Sequence, residues 1–219
     1  MTSEERREQR YQRRKAARLK KRQETIGKYD DFERVASLNS LYEAAREASK
    51  GVDWKASVQR YNSLLLFNIS KTRAELLAGK DIRRGFICFD ICERGKLRHI
   101  KSVHFSERVV QKSFCTNIIY PTFTRSLIYD NGASQQGKGT QLATNRLTAH
   151  LRRHFRKYGR EGGILLIDFS DYFGNVAHEP LFKIYRQIFT DPRVIALGMS
   201  FISAFGDKGL GLRSETSQI

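Results

Sequence analysis

The chain has 219 residues, enough for one hydrophobic core and part of a second, with 40 Lys or Arg against 23 Asp or Glu. The resulting +17 favours a polyanionic partner, nucleic acid first and an anionic membrane surface second. No stretch approaches the ~18 apolar residues of a spanning helix, and the charged N-terminus reads as no signal peptide.

Residues 1–28 hold eleven Lys or Arg against four Glu, with no Gly or Pro before Gly27. Helix formers dominate, and the apolar residues are few: Tyr11, Ala16, Ala17, Leu19 and Ile26. Two readings stay open, a basic arm on nucleic-acid phosphates or a solvated helix. Residues 31–80 carry helical spacing: Phe32, Val35, Leu38, Leu41 and Ala44 come first. After Gly51 and an Asp53 cap follow Trp54, Val58, Tyr61, Leu64, Leu65 and Phe67, then a third helix from Ser70. These are expected to be scaffold helices, with Trp54 in the core.

Residues 84–92 predict a strand, 93–96 a turn and 97–104 its return strand. Alternation puts Lys96, Arg98 and Ile100 on one face. Two cations there fit a triphosphate clamp or a charged protective edge. Cys88 and Cys92 flank this strand's apolar residues and Cys115 follows, an odd number of thiols that reads as reduced and cytoplasmic. Ser106 is expected to cap a helix that Pro121 ends, and residues 126–129 form a short extended piece. The loop 130–140 is Gly-rich and basic. The helix after it has Leu142, Leu147, Leu151 and Phe155 as its expected core stripe and Arg146, Arg152, Arg153, Arg156 and Lys157 on its other face. His150 and His154 lack a third ligand and read as surface or packing residues.

Next come Gly162-Gly163-Ile164-Leu165-Leu166-Ile167-Asp168-Phe169-Ser170-Asp171-Tyr172-Phe173. Four aliphatics in a row predict a short strand buried on both faces, with Asp168 at its end. That acid fits a polymerase metal ligand, the Mg²⁺-holding acid of a P-loop ATPase, or a helix cap. Residues 178–189 predict an amphipathic helix, Asp191-Pro192 starts another to about residue 205, and 206–219 is a Gly-rich turn with a new helix start. The register counts against the P-loop reading. Gly132, Gly137 and Lys138 fit its glycines and lysine, but Gly139 stands where a Mg²⁺-binding hydroxyl is needed and Thr140 is one place late. One residue turns a helix start by about 100°.

Four segments in order resemble the reverse transcriptases of bacterial and phage elements (group II intron, retron, diversity-generating and phage-defence types). Gly95-Lys96-Leu97-Arg98 with Ser106-Glu107-Arg108-Val109-Val110-Gln111 is similar to the first fingers motif. Gln136-Gly137-Lys138-Gly139-Thr140 with Ala143 is similar to the second, Ile167-Asp168-Phe169 with Tyr172-Phe173 to palm motif A, and Lys208-Gly209-Leu210 through Ser214, Ser217 and Gln218 to motif B. The resemblance covers about residues 80–219. It implies an α+β right-hand polymerase: a basic arm over 1–30, a helical extension over 31–80, fingers over 81–160 and a partial palm over 161–219.

It also implies roles. Asp168 and the Phe169 carbonyl would bind Mg²⁺, two ions in all, for an in-line displacement. The Asp171 and Tyr172 backbone would face the triphosphate, and Phe173 would exclude a ribose 2′-hydroxyl. Arg98 and Lys96 would hold the triphosphate, while Gly209, Ser214 and Gln218 would support the incoming nucleotide and template base. Arg108, Lys138, Arg152, Arg153 and Arg156 would contact nucleic acid. The implied partners are an RNA template, a DNA or RNA primer and dNTP, without a membrane. Arg213 stands where the family has a small residue; it would clash there or bind phosphate. The aromatic-x-Asp-Asp of motif C is absent, and Asp171 does not replace it. The expectation is therefore a fragment, or one part of a split protein. Another polypeptide would carry motif C and the thumb, and the 219 residues alone would bind nucleic acid without polymerising. The alternatives are a non-catalytic RNA-binding module of polymerase-like fold and, behind it, a P-loop ATPase.

Overall fold

The structure, a computed structural model, describes residues 2–93, 95–133 and 135–211, and the side chain of Lys96 is not among them. It is mostly helical, with a two-stranded antiparallel sheet. Helix α1 (Ser3–Tyr29) starts at a capping box: Thr2 accepts from the Glu5 N–H and Glu5 returns the bond. Four helices follow: α2 (Phe32–Ala36), α3 (Leu38–Ser49), α4 (Ala56–Ser63) and α5 (Leu65–Leu77).

The hairpin forms as its turn signal predicts. Strand β1 (Phe86–Glu93) pairs with β2 (Lys96–Val103), Phe86 opposite Val103 and Glu93 opposite Lys96. Gly95 turns it at φ 77°, a conformation a Cβ would penalise. Beyond lie α6 (Phe105–Phe114), a π turn (Cys115–Ile119), α7 (Tyr120–Phe123) and a 3₁₀ turn (Thr124–Ser126). The chain ends in α8 (Thr140–Tyr158), α9 (Tyr172–Asn175), α10 (His178–Ile188) and α11 (Pro192–Ser203).

One core joins the early helices to the last two. Val35, Leu41, Ile69, Val109, Phe114, Ile118, Phe189, Val194 and Phe201 are all buried in it. Each such side chain contributes about 1.5–3 kcal/mol by leaving water. Phe114 meets Phe201 edge-on at 5.7 Å, and the Ser113 hydroxyl donates to Val35 O at 2.8 Å, tying α6 to α2. Asp30 clasps the end of α1 to the start of α11, accepting at Oδ2 from the Thr190 N–H, the Thr190 hydroxyl and the Asp191 N–H.

Glu107 is a carboxylate in this core, 2 % exposed. Burial pushes its carboxyl above its ordinary 4.5, against the downward pull of an Arg84 N–H bond and the Arg83 charge. A carboxyl raised on folding contributes stability that is full below its unfolded pKa and lost as pH rises through the folded value. The Tm of Glu107→Gln should therefore gain on wild type as pH rises above the ordinary carboxyl range; a gap that narrows as pH rises would contradict this placement.

Several expectations change. Trp54 is 71 % exposed, in the turn before α4; its indole N–H donates to Gly51 O at 3.3 Å and Lys55 lies over its ring. Leu38, Leu64 and Phe67 are exposed as well. Lys55, not Asp53, stands at the α4 cap position, and the third helix begins at Leu65 rather than Ser70. His104, not Ser106, precedes α6. Pro121 opens α7 instead of ending a helix, because a first-turn proline needs no N–H donor. The apolar stripe of α8 buries nothing: Leu147, Leu151 and Phe155 are exposed.

Candidate nucleotide and nucleic-acid site

Residues 164–167 are not a strand. They adopt no regular secondary structure, with Ile164 72 %, Leu165 83 %, Leu166 91 % and Ile167 72 % exposed. A strand buried on both faces needs neighbours to take its N–H and C=O groups. Among the described residues the hairpin is the one sheet, and it does not reach this segment. Asp168 sits at the end of this run, exposed.

The turn after it is better built. Asp171 adopts a left-handed conformation (φ 46°, ψ 46°), the one non-Gly residue at positive φ among those described. Asn175 steadies it, its Nδ2 donating to Asp171 O at 3.0 Å. The Asp171 carboxylate folds over Gly174, so closely that a Cβ there would collide with it. It is thus turned toward its own helix. Phe169 and Tyr172 stack at 6.1 Å, and Tyr172 and Phe173 meet edge-on at 5.4 Å. The donors present do not fit two Mg²⁺ ions: Asp168 and the Phe169 carbonyl are a single carboxylate set, and no group of three acid, His or Cys side chains that could hold a metal exists among the described residues.

Residues 208–210 close onto this turn from more than thirty positions away. The Gly209 N–H donates to Val176 O at 2.8 Å and the Leu210 N–H to Phe173 O at 2.7 Å, with Ala177 and Lys208 bridged antiparallel. The buried His178 Nε2 donates to Gly209 O at 2.6 Å. Gly209 is required here: φ is +90°, and a Cβ would lie 3.1 Å from Gly174 O and 3.3 Å from Phe173 O. Phe205 then packs its ring on Phe86 at 4.9 Å, placing the hairpin's root beside this segment. Ser214, Gln218 and Arg213 lie outside the described residues.

The cations are distributed differently. Arg98 pairs with Glu93 across the hairpin end at 3.5 Å, so its guanidinium is engaged within the sheet rather than at the Asp168 turn. Arg108 reaches Ser102 Oγ at 3.5 Å. In the Gly-rich loop Lys138 Nζ donates to Tyr129 O at 2.9 Å and lies over that ring, as does Arg146. Asp130 ties the loop to α8 through Arg146 at 2.5 Å and His150 at 3.0 Å. The Arg146 bond holds the Asp130 carboxyl below the usual carboxylate range. His154 donates to Glu161 O at 2.7 Å, so both histidines of α8 bond within the fold. Lys138, committed to a carbonyl with no strand before its loop, is not arranged as a P-loop lysine. Arg152, Arg153 and Arg156 stand exposed on α8.

The structure thus brings Asp168, Phe169, Asp171, Tyr172, Phe173 and Gly209 into one turn-and-strap unit, while Arg98, Lys138 and Arg146 are engaged by Glu93, Tyr129 and Asp130. Sequence reasoning missed His178, which holds the strap, and Asp130, which holds the loop. A histidine at a helix start and an acid sixteen residues before an arginine are weak signals on their own. No protein-family model matches the chain, and no curated protein matches it. No helix among the described residues is long and apolar enough to cross a membrane.

Proposed function

We propose that the chain is the fingers and first part of the palm of an RNA-templated DNA polymerase. The observation that carries this reading is the strap: two segments read independently as motifs A and B are hydrogen-bonded to one another through Phe173, Val176, Gly209 and Leu210. A polymerase needs that juxtaposition, because an incoming nucleotide touches the turn that bears the acid and the segment that supports the base. In this reading Asp168 carries negative charge at the reacting end, and the Tyr172–Phe173 rings form the wall beside the sugar. The strap fixes that wall. Two Mg²⁺ ions would require carboxylates additional to Asp168, so the 219 residues alone should not polymerise. RNA template, DNA or RNA primer and dNTP are the partners.

The test is primer extension by the longest natural form of the protein on an RNA template. DNA product is expected from that form and none from the 219-residue chain. Robust incorporation by the short chain, or none by the long form, would overturn the reading. Phe173→Ala supplies a finer check: ribonucleotide incorporation relative to deoxyribonucleotide should rise roughly 10- to 200-fold. An unchanged ratio in competition assays would remove Phe173 from the sugar wall.

A second reading has its own support. The exposed Arg152, Arg153 and Arg156 also suit an RNA-binding module without catalysis. RNA affinity that persists while no form of the protein makes DNA would favour it.

A further inference from the structure

We infer that α1 binds inside a nucleic-acid groove walled by phosphates on both sides. The inference rests on α1 alone and stands whether or not the polymerase reading holds. The helix buries none of its 27 residues fully, and its residues up to Glu24 are exposed. It is about 40 Å long at 1.5 Å per residue. Its far end is fixed: Ile26 packs on the core, Arg125 donates to Thr25 Oγ1 at 3.3 Å, and Asp30 makes the clasp described above. A capped helix therefore leaves the body with its charge uncovered.

The arrangement of that charge selects the partner. At about 100° per residue, Arg7, Arg10, Arg14 and Arg18 run along the middle of one face. Arg6, Arg13 and Lys20 form one flank, and Lys15 and Arg22 the other. Together they cover roughly 220° of the circumference. The remaining sector holds Glu5, Glu8, Gln9, Gln12, Ala16, Leu19 and Gln23, while Glu4 and Glu24, near the two ends of the helix, are the acids on the cationic flanks. A flat anionic surface reaches half a cylinder at most, and a membrane helix needs apolar residues where this one has arginines. Cations on both flanks as well as the middle suit a channel with a phosphate wall on each side. Tyr11, 56 % exposed between the middle row and the Lys15 flank, adds a ring for sugar or base contact.

A helix of about 10–12 Å diameter enters the roughly 12 Å major groove of B-form DNA but not the narrow major groove of regular A-form RNA. The ligand is therefore B-form DNA or an RNA stem whose major groove a bulge has opened. Fluorescence anisotropy of the 219-residue chain with four probes separates these sources: a DNA duplex, a bulged RNA stem, an unbulged RNA duplex and a single strand. One of the first two should bind at least tenfold tighter than the last two, and the tighter one names the source.

The flanks give the decisive measurement. Arg6→Gln with Arg13→Gln and Lys20→Gln, or Lys15→Gln with Arg22→Gln, should each weaken groove binding. On DNA each lost contact should lower the log–log salt slope by about 0.9. Lysine at the same arginine positions should restore affinity, and far-UV circular dichroism should show the helix retained. Lys183→Gln on α10, an exposed lysine paired with Glu179, should leave the groove preference intact. Loss of affinity from one flank only, equal binding of single strand and duplex, or tighter binding to phosphatidylserine vesicles would each overturn the inference.

Discussion

Asp168→Asn in the longest natural form should lower dNTP incorporation by about a thousandfold or more, equivalent to ~4 kcal/mol of transition-state stabilisation. The substitution keeps the shape and removes the charge. Asp168 is exposed and follows an exposed segment, so neither fold nor RNA affinity should change with it. Asp171→Asn is the matched control. Its carboxylate folds over Gly174 and faces Asn175, so its loss should act on the turn's stability and leave more activity than loss of Asp168. Primer extension under single-turnover conditions, paired with RNA binding by anisotropy, reads both. Wild-type incorporation by Asp168→Asn would sink the polymerase reading outright. Loss of RNA binding in step with activity would instead show that the acid shapes the interface.

Gly198→Val should be the most damaging single change to the body of the protein. Gly198 lies on the buried face of α11, where α10 and α6 cross it. A Cβ there would overlap the Tyr185 ring and lie 3.1 Å from Phe114 Cζ. Tyr185 has nowhere to retreat: it is 9 % exposed and stacks on Phe189 at 5.5 Å, and burial lifts its hydroxyl above the normal phenol range. Overpacking of this kind costs about 3 kcal/mol or more. For a domain of this size that is a fall of roughly 6–12 °C in Tm, readable by circular dichroism. Gly198→Ala should fall short of that because it adds one methyl. A Val variant that melts within a degree or two of wild type would show that the helices do not cross as described.

Local chemistry was legible in the sequence wherever it sufficed. The Glu93-to-Lys96 turn announced the hairpin, and the Phe32-to-Ala44 spacing announced the first core helices. Apolar periodicity failed where it had to predict cover rather than conformation. Leu147, Leu151 and Phe155 repeat as a core stripe should, and α8 is indeed a helix, yet all three side chains are exposed. The aliphatic run before Asp168 reads as a buried strand for the same reason. A hydrophobic pattern states what a segment requires and not whether the neighbour that would satisfy it is at hand. The strap was half legible. Gly209 was singled out as a nucleotide-facing residue, but its bonds to Phe173, Val176 and His178 join distant positions that no local rule connects.

The bare run Ile164, Leu165, Leu166 and Ile167 also governs how copies of this chain behave toward one another. Such a patch invites strand-to-strand association, and the mutual repulsion of molecules carrying +17 opposes it. Nucleic acid removes that repulsion as it binds. The colloidal behaviour should therefore be non-monotonic: dispersed when free, condensing near charge equivalence, and dispersed again when excess polyanion reverses the sign.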